Sequence, residues 1–224
     1  MSEATIHLAL ASDSTVAAYA ETDIARGWGQ YLGECFSNVR IANHAACGRS
    51  TKTFREDGFW DALLSEEPDI VLIQFGHNDS HKKGLRESTD AETDYRENLC
   101  RYIGECREAG ALPILVTPPH RRTFDADGRL TRELLPYVES MRSVAQEMSV
   151  SLIDLYERIG ERYEALGEEE STYFTLNSGQ NVDVPGANDR THFTERGARE
   201  LAVMVAEELA ALEPRLDVAF EQLG

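Results

Sequence analysis

Positive charge is scarce in this sequence of 224 residues. Only 22 lysines and arginines stand against 40 aspartates and glutamates, so the formal net charge at pH 7 is −18. Lys52, Lys82 and Lys83 are the only lysines. Nucleic acids and anionic membranes are bound by basic surfaces, and this composition therefore argues against both as partners.

Long apolar runs and paired cysteines are also lacking. No run approaches the roughly 18 apolar residues of a membrane span. The acidic start has neither a basic region nor a small-residue cleavage site, so we expect no signal peptide. The cysteines at positions 35, 47, 100 and 106 form no C-x-x-C pair. In a chain of this length, that spacing indicates reduced thiols, favours a cytoplasmic location and argues against a zinc site.

The chain instead contains five short apolar runs without clean alternation, a pattern typical of strands buried on both faces. They are residues 6–10, 39–42, 70–75, 112–117 and 150–155. Helical spacing predicts helices over 28–36, 93–109, 132–148 and 195–212, the last after Thr194 as N-cap. We expect residues 168–187 to be irregular. The alternation predicts one domain, 1–224, with a three-layer α/β/α fold around a parallel sheet of about five strands.

Four polar segments accompany these runs. Asp13-Ser14-Thr15 follows the first run, Gly48 closes the second, Gly76-His77-Asn78-Asp79 closes the third, and Asp189-Arg190-Thr191-His192 precedes the last helix. In open α/β sheets, ligands bind at the carboxyl ends of the strands, and we therefore expect the segments to meet at one edge.

These segments contain the groups that acyl transfer needs. Ser14 would be the nucleophile, His192 the general base, and Asp189 the group that orients the imidazole from three positions away. The backbone N–H groups of Ser14 and Gly48, with the side-chain amide of Asn78, would form an oxyanion hole. Alone, each segment has a simpler structural explanation, such as an N-cap or an Asx-turn. Their common position favours catalysis.

Four further residues are candidate substrate contacts: Thr15, His77, Arg121 and Arg122. The two arginines follow the exit of the fourth run and could clamp a substrate carboxylate, or they could simply be solvated. A metal site is a weaker interpretation. His77, Asp79 and His81 alternate along the chain, but no fourth ligand is evident, and we expect neither a metal nor a cofactor.

At these motifs the sequence resembles the SGNH (GDSL-like) hydrolase superfamily. Residues 12–17, 27–30, 48–50 and 75–79 resemble its rhamnogalacturonan acetylesterase branch, and the match runs from about residue 8 to 201. Ser12 stands where that family usually has Gly.

The resemblance implies an α/β/α esterase that needs no cofactor and removes acetyl groups from a pectic oligosaccharide through an acyl-Ser14 intermediate. Two alternatives stay open at this point: a general short-chain carboxylesterase or lipase-like hydrolase, and a catalytically silent carbohydrate-binding domain. The sequence does not indicate an oligomeric state.

Overall fold

A parallel sheet of five strands lies at the centre of the computed structural model, which describes residues 5–176 and 189–219. The strands are β1 Ile6–Ala11, β2 Val39–Asn43, β3 Ile70–Ile73, β4 Leu112–Val116 and β5 Ser151–Ile153. Their order across the sheet is β2-β1-β3-β4-β5, and every neighbouring pair is parallel. The predicted five-stranded parallel sheet is therefore confirmed.

The described α-helices are α1 Thr53–Glu56, α2 Phe59–Leu64, α3 Asp94–Glu108, α4 Leu135–Met148, α5 Leu155–Glu170 and α6 Glu195–Leu212. Three of them, α3, α4 and α6, were predicted to within three residues at each end. The two short helices α1 and α2 were not predicted. In the described residues, no helix is long and apolar enough to cross a membrane.

Helices cover both faces of the sheet because consecutive strand residues point to opposite sides. On one side, Leu8 and Leu10 of β1 belong to an apolar core that includes buried residues of α5 and α6. On the other side, Ala9 and Ala11 belong to a second core shared with α2, α3 and α4. The predicted three-layer α/β/α fold is confirmed.

The predicted helix over residues 28–36 is wrong, since the structure has two short 3₁₀ turns there, Trp28–Gln30 and Leu32–Cys35. The glycine before Trp28 lies against the loop after β1, where a Cβ would come within 2.3 Å of the Ala17 carbonyl oxygen. The Trp28 N–H also donates to the Thr15 carbonyl, at 3.0 Å. These contacts fix the segment to the loop after β1 and prevent a regular helix.

Helix α5 was not predicted, and its first residue, Leu155, stood at the end of the predicted strand over 150–155. Its N-cap is Asp154, which accepts a hydrogen bond from the Glu157 N–H. Leu155, Ile159 and Tyr163 are fully buried at four-residue spacing, and this helical signal is present in the sequence. Residues 168–187 were predicted to be irregular, but 168–170 form the end of this helix. Positions 177–187 lie outside the described residues.

The start of helix α6 explains an unusual glycine. Thr194 caps the helix as predicted, since its hydroxyl accepts from the Gly197 N–H at 3.1 Å. A Cβ at position 197 would lie 2.2 Å from the Phe174 carbonyl oxygen. Glycine at this position therefore allows close packing of α6 on the 3₁₀ turn Ser171–Phe174, which helps to hold the last polar segment in place.

Alanine at position 197 should therefore destabilise the protein even though alanine favours helices. We expect Gly197→Ala to lower the free energy of unfolding by about 1–3 kcal/mol because the added methyl overpacks the contact. Gly104→Ala in α3 is the matched control: no atom lies within 4 Å of the added Cβ, and helix propensity should raise stability by roughly 0.5–1 kcal/mol. Urea unfolding measures both, and equal effects at the two positions would contradict the proposed contact.

Candidate active site

The predicted catalytic segments meet at one edge of the sheet, where β1 lies between β2 and β3. The strand order reverses at this point, and such a reversal opens a crevice beyond the strand ends. A cavity of about 380 Å³ lies there. Its lining includes seven predicted site residues: Ser14, Gly48, His77, Asn78, Arg121, Asp189 and His192.

A continuous hydrogen-bonded chain links the nucleophile candidate to a carboxylate. The Ser14 Oγ lies 2.9 Å from Nε2 of His192. Nδ1 of the same imidazole lies 2.6 Å from Oδ2 of Asp189. With a proton on Nδ1, the carboxylate accepts it and Nε2 is free to accept from Ser14, which is the geometry of a serine nucleophile and its base.

The acidic member of this chain is fixed by its own loop. Oδ1 of Asp189 accepts hydrogen bonds from the backbone N–H groups of Thr191 and His192, both at 2.9 Å. Burial alone would raise the pKa of Asp189, but the bonds from His192 and these two N–H groups lower it below its ordinary value. Asp189 is therefore held ionised and oriented.

The same hydrogen bond makes His192 a stronger base. The hydrogen bond to Asp189 raises the pKa of His192 above its ordinary value of 6.5, although burial acts in the opposite direction. Among weaker influences, the charge of Asp13 raises this pKa and the charge of Arg121 lowers it. His192 is thus a better proton acceptor than a free imidazole.

Three donors are available near the nucleophile. Among the described residues, the backbone N–H groups of Ser14 and Gly48 have no acceptor, and Gly48 adopts a left-handed conformation with φ of 75°. The Asn78 side chain donates one hydrogen bond to the Arg49 carbonyl at 2.9 Å. This bond orients the amide and leaves its second N–H free. The three groups can serve as an oxyanion hole.

Buried hydrogen bonds support the turn that carries Ser14. The Ser12 hydroxyl donates to the Gln74 carbonyl at 2.6 Å and accepts from the Gln74 amide at 3.2 Å. The same amide donates to the Thr15 hydroxyl at 2.7 Å. Ser12 is thus accommodated through bonds to the end of β3.

The hypothetical metal ligands do not converge. Asp79 is fully buried and accepts hydrogen bonds from the hydroxyls of Thr51 and Thr89, at 2.5 and 2.9 Å. Burial raises the pKa of Asp79 to about 7 despite these bonds. His81 instead bonds Glu87 at 2.7 Å. Asp79 therefore joins loops, and no group of three or more His, Cys, Asp or Glu in the described ranges could hold a metal ion.

Two predicted substrate contacts require correction. Thr15 is fully buried, and its hydroxyl donates to Asp13 at 2.7 Å and accepts from Gln74. Arg122 is 1% exposed, and its guanidinium bonds the Glu168 carbonyl at 2.8 Å and the Thr175 hydroxyl at 3.0 Å. Both side chains point away from the cavity because each is committed to buried partners within the fold.

Arg121, by contrast, does line the cavity. Its guanidinium forms an ion pair with Glu133 at 3.1 Å and donates to the His77 carbonyl at 3.2 Å. Consecutive arginines thus turn to opposite sides of the same segment. Only Arg121 is placed where a substrate could reach it, and the predicted two-arginine clamp is reduced to one guanidinium.

Four residues that line the cavity were not predicted to do so from the sequence: Tyr19, Cys47, His81 and Thr191. The Tyr19 hydroxyl donates to the Ser14 carbonyl at 2.9 Å, and the exposed Cys47 thiol lies 3.5 Å from that hydroxyl. Cys47 and Thr191 are neighbours in sequence of the predicted site residues Gly48 and His192, and this proximity could have indicated that they line the cavity. Tyr19 has no such signal, since its contact depends on the turn after Ser14.

The nucleophile's reactivity should follow the protonation of His192. Only the neutral imidazole accepts the proton of Ser14, and its pKa is raised. We therefore expect labelling of Ser14 by a serine-directed phosphonate to speed up with pH, with a midpoint above 6.5. Asp189→Asn should slow labelling and move the midpoint down, because the main cause of the raised pKa is removed. Peptide mass mapping measures the labelling, and a pH-independent rate would contradict this assignment.

Comparison with known proteins agrees with this geometry. The model of the GDSL-like lipase/acylhydrolase family matches residues 13–200. The rhamnogalacturonan acetylesterase RhgT of Bacillus subtilis is 39% identical over 216 residues, covering 92% of this chain and 90% of RhgT. The probable rhamnogalacturonan acetylesterase YesY of the same organism is 38% identical over 210 residues, covering 92% and 93%.

A solved structure shows the same fold. The YxiM protein of Bacillus subtilis superposes with a TM-score of 0.79 at 25% identity, over 93% of this chain and 57% of YxiM. The chain therefore spans little more than half of that protein, but nearly all of the two acetylesterases. The family match covers most of the chain and begins at the residue before the serine that contacts His192. This protein belongs to the GDSL-like lipase/acylhydrolase family and is a carboxylic ester hydrolase.

Proposed function

We propose that this protein is a serine acetylesterase that removes acetyl groups from pectic oligosaccharides derived from rhamnogalacturonan. The observation that supports ester hydrolysis is the hydrogen-bonded chain from Ser14 through His192 to Asp189. The substrate class is supported by the two relatives named rhamnogalacturonan acetylesterase, which are 38% and 39% identical.

In the first half-reaction, the Ser14 oxygen attacks the acetyl carbonyl carbon while Nε2 of His192 takes the hydroxyl proton. The negative charge that develops on the carbonyl oxygen is stabilised by the N–H groups of Ser14 and Gly48 and by the Asn78 amide. The tetrahedral intermediate then expels the sugar alkoxide, which receives the proton from His192 and leaves as a free hydroxyl. The acetyl group stays on Ser14.

In the second half-reaction, water takes the place of the sugar. His192 removes a proton from this water, whose oxygen attacks the acetyl-Ser14 carbonyl. The same three donors stabilise the second oxyanion. Collapse returns the proton from His192 to the Ser14 oxygen and releases acetate.

The cavity composition favours a short acyl group. No aliphatic side chain is found among its lining residues in the described part of the chain. A long acyl chain would therefore find no aliphatic side chain to pack against among the described lining residues. This observation favours an acetylesterase over the lipase-like alternative.

We also propose a cytoplasmic location. All four cysteines, Cys35, Cys47, Cys100 and Cys106, are free thiols. Proteins of oxidising compartments commonly pair their cysteines, whereas cytosolic proteins keep them reduced. Subcellular fractionation of the source cells, with detection of the protein by antibody, tests this proposal.

Acetate release from acetylated rhamnogalacturonan oligosaccharides tests the activity. The wild-type enzyme should release acetate, and Ser14→Ala should lower kcat by up to about 10⁶-fold, as for loss of a comparable serine nucleophile. Activity on p-nitrophenyl acetate should exceed activity on the octanoyl ester. A preference for octanoate would support the lipase-like alternative, and binding without turnover would support a silent carbohydrate-binding domain.

Arg121 should determine the response to acidic substrates. Rhamnogalacturonan is a polyanion and the protein has a net charge of −18, so long-range repulsion must be offset by a local cation. We expect Arg121→Ala to reduce kcat/KM on acidic acetylated oligosaccharides by roughly 10- to 100-fold, the value of a hydrogen bond to a charged group. The loss on p-nitrophenyl acetate should be much smaller.

Arg162→Ala is the matched control for this change. It removes the same charge and one ion pair, with Glu200 at 2.8 Å, but Arg162 is not among the cavity residues. Assays should be run well above the pKa of His192, because Arg121 itself influences that pKa. Equal losses on charged and neutral substrates would show that Arg121 is a structural residue.

A further inference from the structure

A second imidazole–carboxylate pair lies beside the catalytic one. Asp13 is fully buried directly before Ser14, and His77 is 3% exposed directly before Asn78. Nδ1 of His77 lies 3.7 Å from Oδ2 of Asp13. The pair therefore connects the residue before the nucleophile with the residue before an oxyanion donor.

Three polar atoms of this pair are buried without a hydrogen-bond partner in the described chain. Oδ1 of Asp13 accepts from the Thr15 N–H and hydroxyl, at 2.9 and 2.7 Å, but Oδ2 has no hydrogen bond. Both ring nitrogens of His77 are likewise buried without a hydrogen-bond partner. A buried charge is costly unless it is paired, so the imidazole is the available partner for the unpaired carboxylate oxygen.

Asp13 is ionised despite its burial. Burial would raise the pKa of Asp13, but His77 and the bonds from Thr15 lower it below its ordinary value. The charge of Asp13 also acts on His192. It raises the pKa of this imidazole, although less than the hydrogen bond to Asp189 does. An unscreened carboxylate at position 13 would therefore keep His192 protonated to higher pH, where it could not accept the Ser14 proton.

We propose that His77 is a positioning residue that pairs with Asp13 and screens the charge of this carboxylate from the catalytic His192. The role differs from the substrate contact expected from the sequence, because Nδ1 of His77 faces Asp13 and both ring nitrogens are buried. The inference rests on the proposed function, since its readout is ester hydrolysis. The charged groups that face His192 in the described residues are Asp189 in its own loop, Asp13 after β1 and Arg121 after β4.

A double-mutant cycle at positions 13 and 77 tests the proposal. The readout is the acidic limb of the pH profile of kcat/KM on p-nitrophenyl acetate, which reports the base in the free enzyme. His77→Gln should move this limb to higher pH by roughly half a pH unit or more, because the negative charge of Asp13 would no longer be screened from His192. Asp13→Asn should move it down. The acidic limb of the double variant should coincide with that of Asp13→Asn, since position 13 then has no charge to screen.

The cycle separates screening from the two other roles that His77 could have. If His77→Gln lowers kcat while its limb coincides with the wild-type limb, the residue is structural and the proposal is overturned. If His77→Gln raises KM to the same extent with and without the Asp13→Asn change, His77 contacts substrate, and the proposal is overturned as well.

A folding control keeps the test decisive. His77→Gln leaves a buried carboxylate unpaired and could fail to fold, whereas the double variant has no such charge. In that event the comparison of Asp13→Asn with the double variant decides: an unchanged limb and unchanged kcat support the proposal, and a change in either overturns it. Absence of turnover by the wild-type enzyme would instead refute the proposed function.

Discussion

The buried side chain of Gln74, at the end of β3, is the interaction on which the active site depends. Its side-chain nitrogen donates to the hydroxyls of Ser12 and Thr15, and its side-chain oxygen Oε1 accepts from the Trp28 indole at 3.0 Å. A buried amide must satisfy its donors and acceptor, so these bonds admit little adjustment. They fix the turn that carries Ser14 relative to the strand end that carries Asn78, and therefore the proposed nucleophile relative to a proposed oxyanion donor.

Three buried or half-buried aspartates surround this framework, and each is accommodated differently. Asp189 is ionised and bonded to His192, which suits it to orient the base in the proposed mechanism. Asp79 accepts from two threonines and has a pKa of about 7, so it acts as a loop anchor that tolerates a proton. Asp13 stays ionised next to His77. A site that must stabilise an oxyanion can contain three carboxylates only because each of them accepts hydrogen bonds from its own set of donors.

Much of the fold and of the site could be predicted because parallel strands buried on both faces leave short apolar runs, and their carboxyl ends meet at one edge. Ser14, Gly48 and Asn78 were found in this way. Side-chain direction could not be predicted, since neighbours such as Arg121 and Arg122 turn to opposite sides of one loop. The role of Gln74 was equally hidden, because its partner Ser12 lies 62 positions away. Tertiary contacts also replaced the helix expected over residues 28–36.

The contact between Ser14 and His192 joins positions that are 178 residues apart. Closing so long a loop costs conformational entropy, and parallel sheets with distant pairings fold slowly. His192 lies just before α6, and buried residues of this helix belong to the core on one face of the sheet, so that core is incomplete until α6 is in place. The contact between Ser14 and His192 is therefore coupled to the packing of the C-terminal helix, and loosening of α6 would also separate the two side chains.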